Sequence, residues 1–454
     1  MQQMQTGSRI GKGAGREIHT AAVLAQVLEA DIAAGRLAAG DRLESVRAAA
    51  ETHGLAANTV AAAYRILGER GLVTGKGRQG TIVNARPAVG RRLDAPVRPD
   101  LVDLSSGNPD QALLPDLAEA LLRIRTTHGR YGQIPIDPEL MRVLSTEYRA
   151  DGVDASHFVL SAGALDGLER VLGAHLRPGD KVAVEDPGYS SVFELLAALG
   201  LEAVPVAVDD EGPIAVDVER ALESGVDAIV VTSRAQNPTG AAISEPRADE
   251  LGQLLSGYRD VLVIEDDHAG LVAGQPFRTI SRSDRPRWAV IRSVAKSLGP
   301  DLRVASVVGD QITIDRVAGR QAVGPGWVSH LLQRTVVAML ANSPRQNTGQ
   351  RAALSRASVA YRHRRDLFRS YLSDAGLASS GSSGFNVWVP VPDETAVVAG
   401  MQQRGFAIRA GDRYRLNSPP GVRVTVAAAT DLQLGNAASA LVDVLSPGSG
   451  WRSA

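Results

Sequence analysis

The 454-residue sequence contains no cysteine. It can therefore form no disulfide, offer no thiolate nucleophile and hold no metal through sulfur, which agrees with a reducing compartment. No run of about 18 apolar residues occurs, and the opening "MQQMQTGSRIGKGAG" lacks the apolar core of a secretory signal, so the chain reads as cytoplasmic. Lysine is also scarce: Lys12, Lys76, Lys181 and Lys296 are the only four among 49 basic residues, and the other 45 are arginine. Where arginine carries nearly all the positive charge, a lysine stands out for what arginine cannot do, which is lose its proton and attack a carbonyl carbon. What is present is ordinary for a globular protein. A hydrophobic content of 44% and a charged content of 22% exclude a disordered chain and allow two or more domains, each with its own core.

Charge is unevenly spread. Residues 1–100 hold 14 Lys/Arg against 9 Asp/Glu, a net of +5, so residues 101–454 sum to −6. A basic front on an acidic body suits nucleic acid, although charge alone does not establish it. Three stretches of the front have helical spacing: "EIHTAAVLAQVLEADIAAG" (17–35), "ESVRAAAETHG" (44–54) and "LAANTVAAAYRILGERG" (55–71). A hairpin, "GLVTGKGRQGTIVN" (71–84), follows. Its tip spells G-x-G-x-x-G through Gly75, Gly77 and Gly80, but β-branched residues follow where a dinucleotide fingerprint needs a helix, so that reading is rejected.

Three helices and a β-wing resemble the winged helix-turn-helix of GntR-type regulators across about residues 16–84, carried by "AAGRLAAGDRLESVRAAA", "NTVAAAYRILGERGLV" and "GRQGTIV". The resemblance implies double-stranded DNA as partner, with Arg47, Asn58, Thr59, Arg65, Lys76 and Arg78 as contacts: the third helix in the major groove, arginines and wing on phosphates and the minor groove. Two positions depart from that pattern. Glu44-Ser45 stands where Pro-Ser is usual, and Ala56-Ala57 where Ser-Arg is usual.

Residues 85–100, "ARPAVGRRLDAPVRPD", read as an extended linker. Beyond it, short apolar strands alternate with helical stretches: "FVLSAG" (158–163), "KVAVED" (181–186), "LEAVPVAV" (201–208), "DAIVVTS" (227–233), "VLVIEDD" (261–267), "WAVIRS" (288–293) and "VASVVGD" (304–310). This predicts an α/β body with a buried, mostly parallel sheet and helices on both faces, whose ligands sit at the carboxyl ends of the strands. Those ends carry the unusual residues. Ser161, Gly163 and Ala164 place backbone N–H groups at a helix start for a phosphate. Tyr189 offers a ring to stack on a flat heteroaromatic, Asn237 an amide, and Asp266 a carboxylate for a protonated ring nitrogen. Lys296 follows, with Ser293 before it and Arg303 after it suited to phosphate. A Schiff-base lysine, an acid for a pyridinium and a phosphate cradle together specify pyridoxal 5'-phosphate. No metal site is expected.

From "NPTG" and "SxxKxLxPxLR" the body resembles the fold type I aminotransferases of class I/II over about residues 101–440, with a smaller C-terminal α+β subdomain. The resemblance implies Lys296 in the internal aldimine, Asp266 at the ring nitrogen, Asn237 at the ring hydroxyl, and Arg423 on the carboxylate of an amino-acid ligand. It also implies Tyr131 reaching the cofactor of a second subunit in a homodimer. His268 departs from the pattern, standing where a tyrosine usually touches the ring hydroxyl; an imidazole there is expected to change charge near neutral pH, its ordinary pKa being about 6.5. Ala164-Leu165 replaces a polar pair at the phosphate loop.

The two halves together resemble the MocR subfamily of GntR-type transcription regulators. This implies a tail at 1–15, a DNA-binding domain at 16–84, a linker at 85–100, an effector domain at 101–440 and a tail at 441–454. It further implies a head-to-tail homodimer, and an amine, amino acid or B6 vitamer bound at the Lys296 aldimine that controls promoter binding. The alternative is a working aminotransferase, or another enzyme using the same cofactor, with a vestigial front domain.

Overall fold

The computed structural model describes residues 20–33, 36–38, 40–69, 72–75, 80–83, 97–125, 129–281, 284–340 and 348–446. Lys76, Arg78, most of the expected linker and both expected tails except residues 441–446 lie outside them. The chain divides into two compact units, Met1–Arg91 and Arg92–Ala454.

In the first unit, α1 (Ala21–Ala33), α2 (Val46–His53) and α3 (Ala57–Glu69) precede a hairpin of β1 (Val73–Gly75) and β2 (Thr81–Val83), paired antiparallel. Periodicity decides which faces turn inward. Val60, Ala63, Tyr64 and Leu67 fall at i, i+3, i+4 and i+7 of α3 and are buried with Leu24, Ala25 and Leu28 of α1. Ser45 caps α2 by accepting a hydrogen bond from the Ala48 N–H, and Gly54 ends it at φ 64°, a conformation glycine adopts without strain. The Tyr64 hydroxyl donates to the Glu44 carbonyl at 2.9 Å, tying α3 to the start of α2.

In the second unit all seven expected strands form and, with one further short strand, build the main sheet. They are β3 (Phe158–Ser161), β4 (Lys181–Asp186), β5 (Glu202–Asp209), β6 (Gly212–Pro213), β7 (Ala228–Thr232), β8 (Leu262–Asp267), β9 (Trp288–Ser293) and β10 (Ala305–Gly309). They make one sheet in the order β3-β10-β9-β8-β7-β4-β5-β6, in which β10 and β6 run against the rest. Both faces are covered. Val182, Val184, Val230, Leu262 and Ile264 pack on one side, and Ala183, Ile229, Val231 and Val263 on the other. Apolar residues on both faces make each central strand a continuous hydrophobic run.

A three-stranded sheet, β11 (Asn386–Pro390), β12 (Arg409–Ala410) and β13 (Gly421–Thr425), forms the smaller C-terminal part. The last helix, Asp431–Leu445, runs past the boundary expected at 440 because Leu441 and Val444 are themselves core residues. Among the described residues no helix is long and apolar enough to cross a membrane.

Leu67, fully buried in a small unit, is a sensitive place to test the first core. Leu67→Ala should cost about 2–5 kcal/mol. By hydrogen exchange on the whole chain, amides of α1–α3 should lose protection while those of β7–β9 keep theirs.

Candidate functional site

The carboxyl ends of the parallel strands converge on a cavity of about 190 Å³. Eight of the residues singled out from the sequence line it: Ala164, Tyr189, Asn237, Asp266, His268, Ser293, Lys296 and Arg303. They come from separate strand ends and the loops that follow them, which is how a sheet gathers residues far apart in the chain.

Strand parity selects the acid. Along β8 the even residues Leu262 and Ile264 face one layer, and Asp266 continues that face into the cavity. Asp267 points the other way, fully buried, where Arg234 Nε donates to it at 2.8 Å and Arg292 Nε at 2.7 Å. Burial alone would raise the pKa of Asp267, but the two guanidinium groups overcome this and hold its carboxyl well below the usual range. Asp266 has no such partner. Its Oδ1 is buried without a hydrogen bond, and burial, Asp267 and Glu185 together push its pKa up to about 8. Glu185, on β4, is itself pushed up to about 7 by burial, despite bonds from the Thr232 N–H and Gln236.

Lys296 sits in a short helix, α4 (Ala295–Leu298), directly after β9. Its Nζ donates to the Gly107 carbonyl at 2.7 Å. Removal from water, then the positive charge of Arg423, lower its pKa to about 8. A much larger fraction of this amine is therefore unprotonated at neutral pH than in an ordinary lysine, as a nucleophile requires. His268 lies beside it, with Nδ1 3.7 Å from Asp266 Oδ2. Here the structure corrects the expectation of a charge change near neutrality: burial first, and Lys296 second, push His268 down to about 4, so it stays neutral.

The turn expected to take a phosphate is shaped by glycine. Gly163 has φ 110°, and a Cβ there would lie 2.2 Å from a guanidinium nitrogen of Arg303, so only glycine lets that arginine lie across the start of the 164–175 helix. Ser161 does not line the cavity; its hydroxyl donates to the Gly163 carbonyl and shapes the turn from within. Arg423 stands behind the wall rather than in it. It donates to Asn237 Oδ1 at 2.9 Å and to the Ser105 carbonyl, and packs its guanidinium 5.1 Å from the Tyr414 ring centre. Tyr131 is elsewhere, 95% exposed, edge-on to Trp327 on a second concave surface that shares no residue with the Lys296 cavity.

Sequence reading missed Gly107, Ala235, Phe385 and Asn386, which also line the cavity. Ala235 has φ 55°, the only positive-φ non-glycine among the described residues, and such strain often accumulates at functional sites. No local pattern marks it. Phe385 and Asn386 arrive from the C-terminal part, beyond the reach of any spacing rule.

These features fit pyridoxal phosphate: an orphaned buried carboxyl for a ring nitrogen, an amine of lowered pKa, and a glycine turn under an arginine. With a winged helix-turn-helix ahead of it, such a body defines a class, the DNA-binding regulators built on a pyridoxal-phosphate fold. Comparison with known proteins agrees. Residues 99–441 match aminotransferase class I and II, and residues 20–83 match the bacterial regulatory proteins of the gntR family. The chain is 38% identical to the vitamin B6 salvage pathway transcriptional repressor PtsJ of Salmonella typhimurium, over 90% of this chain and 94% of that protein. It is 27% identical to the pyridoxine biosynthesis transcriptional regulator PdxR of Corynebacterium glutamicum, over 76% of each. In fold it is similar to a multiple substrate aminotransferase from Thermococcus profundus, with TM-score 0.69 and 19% identity over 77% of this chain and 92% of that one. The chain belongs to the MocR-type regulators of the GntR family, with an aminotransferase class I/II domain whose cofactor is pyridoxal phosphate.

The folded protein holds the Asp266 proton more tightly than an unfolded chain, whose aspartate titrates near 3.8. Ionising that carboxyl as pH rises toward 8 therefore favours unfolding. Cofactor-free protein should lose stability from pH 5 to pH 8, and Asp266→Asn should reduce that loss by roughly 1–3 kcal/mol while weakening cofactor binding. Urea denaturation at the two pH values checks the first; quenching of tryptophan fluorescence by pyridoxal phosphate checks the second.

Proposed function

We propose that this regulator binds promoter DNA through its winged helix and that an amine, amino acid or B6 vitamer, bound in the Lys296 cavity, controls that binding. The observation that carries the reading is the cavity itself: a lysine of lowered pKa, an unpaired acid and a phosphate turn, in a chain whose front folds as a winged helix. Lys296, Asp266, Ser293 and Arg303, with the turn at Ser161, Gly163 and Ala164, would hold the cofactor; Tyr189 would supply a ring to stack on it, and Asn237 and His268 hydrogen-bonding groups for its ring oxygen. When bound, the cofactor supplies an electrophilic carbon to a primary amine. The chain's own groups do the rest. Lys296 gives up its proton readily, neutral His268 accepts or donates a hydrogen bond without adding charge, and Arg423, through its planar fork, binds a carboxylate on the incoming amine. The name of the Salmonella relative favours a B6 vitamer as one of the ligands.

On the DNA side, Arg47 on α2 and Asn58 and Arg65 on α3 are exposed, and Thr59 is half-buried. Their side chains suit phosphates and base edges, and Lys76 and Arg78, outside the described residues, belong to the same expected set. Tyr131, exposed beside Trp327, supports a head-to-tail homodimer in which each subunit reaches its partner's cofactor.

The test is a gel shift with the DNA upstream of the protein's own gene. Pyridoxal phosphate should change the affinity by about 5–150-fold. Lys296→Ala should still bind DNA but lose both this response and the visible absorbance of the loaded protein. Amino-acid turnover at about one per second or faster would instead make the chain an aminotransferase. A companion measurement concerns the DNA-facing arginines: Arg47→Ala or Arg65→Ala should lower the dependence of log affinity on log salt by about one unit for each phosphate the arginine neutralises, and an unchanged slope removes that residue from the interface.

A further inference from the structure

Asp186 ends β4, yet it lines no part of the cofactor cavity. Its side chain is 4% exposed and accepts four hydrogen bonds from one short loop: the backbone N–H groups of Leu416, Asn417 and Ser418 at 2.9, 2.6 and 2.8 Å, and the Ser418 hydroxyl at 2.7 Å. Successive N–H groups turned onto one anion form a nest, and four donors use most of the capacity of a carboxylate. Two residues further on, the Gly188 N–H donates to the Tyr414 carbonyl at 2.8 Å. The loop is thus fastened to the end of β4 at two points.

The same loop leads into β13, which carries Arg423. Its near end places the Tyr414 ring 5.1 Å from the Arg423 guanidinium. Its far end is held by Glu394, which accepts from the Gly421 N–H at 3.0 Å and pairs with Arg415 at 2.8 Å. Gly421 cannot carry a side chain, since a Cβ there would meet the Trp388 ring at 2.2 Å. Arg423 therefore sits on the strand that follows a loop linked to the large sheet by the buried Asp186 carboxylate and by the Gly188–Tyr414 backbone bond. The guanidinium has spare capacity: NH1 and NH2 are engaged by Asn237 and Ser105, while its buried Nε has no hydrogen-bond partner.

We propose that Asp186 is a positioning residue for carboxylate recognition: by latching residues 414–418 to the end of β4, it holds Arg423 at a set separation from Lys296, so that an incoming amine is selected for the carboxylate it carries. This rests on the reading of Arg423 as the carboxylate partner.

The test uses the full-length protein loaded with pyridoxal phosphate. It is titrated with L-alanine and with ethylamine, which is alanine without its carboxylate, and followed by visible absorbance on the concentration of neutral amine. The parent should bind L-alanine about tenfold or more tighter than ethylamine, the contribution of a bidentate arginine. In Asp186→Asn this ratio should fall to about threefold or less, with ethylamine and cofactor affinities within about twofold of the parent. Ser418→Ala, which removes one of the four donors and keeps the carboxylate, should lower the ratio by about two- to threefold and serves if Asp186→Asn does not fold. A ratio unchanged in either folded variant overturns the latch. So does an equal weakening of both amines and the cofactor, which marks a general structural role. A parent that binds the two amines equally overturns the Arg423 reading instead, and the latch with it.

Discussion

Between the ends of three adjacent strands, the buried carboxylate of Asp267 is gripped by Arg234 at 2.8 Å and by Arg292 at 2.7 Å, and Arg292 reaches on to Asp151 at 2.7 Å. The rings of Tyr148 and Phe277 pack against the Arg292 guanidinium at 4.5 and 5.2 Å. Placing ions out of water costs several kcal/mol each, and mutual attraction offsets that only where geometry and hydrogen bonding are good. Here both conditions are met, because the register sets Arg292 opposite Asp267 across two parallel strands. The cluster stitches β7, β8 and β9 at the edge where the cavity opens. It also leaves Asp266, one residue earlier on the opposite face, in a fixed position with no arginine of its own and its Oδ1 unbonded.

That contrast explains the electrostatics of the cavity. On the far face Asp267 is compensated by two arginines, whereas the cavity side holds a carboxyl pushed up to about 8 and an amine pushed down to about 8. Each carries a free-energy cost in the cofactor-free protein, and each is relieved by a group of complementary chemistry. A site built in this way is destabilised until filled, so ligand binding and folding stability are linked. His268 belongs to the same logic. An imidazole held neutral beside Lys296 adds no further positive charge to the cavity, and offers a hydrogen bond rather than a switch.

The C-terminal part contributes what the sheet cannot. Phe385 and Asn386 close one wall of the cavity, and Arg423 stands behind Asn237 on a strand that follows the loop fastened to Asp186. Two structural parts therefore meet at the cavity. Such an arrangement suits sensing, since a ligand that bridges both parts touches different groups in each of their relative positions, and only a difference in interaction can shift a conformational equilibrium.

Much of this was legible in the sequence because it depends on local periodicity and on residue chemistry. The buried strands, the helix spacing of α3 and the strand-end residues Tyr189, Asn237, Asp266, Lys296 and Arg303 all follow from short patterns, and a lone lysine among arginines singled out Lys296. Other features depend on which way a side chain points and on what lies beside it, and no spacing states these. Folding alone decided that Asp267 is neutralised and Asp266 is not, since the difference lies in two arginines contributed by other strands. Folding alone made His268 neutral, through burial and a neighbouring cation. It also placed Ser161 behind the Gly163 turn, drew Ala235 and Phe385 into the cavity, and wrapped residues 416–418 around Asp186. The reason is physical: an amino-acid pattern specifies which groups can be buried, but the pKa, pairing and reach of a buried group are set by neighbours that arrive only when distant segments pack.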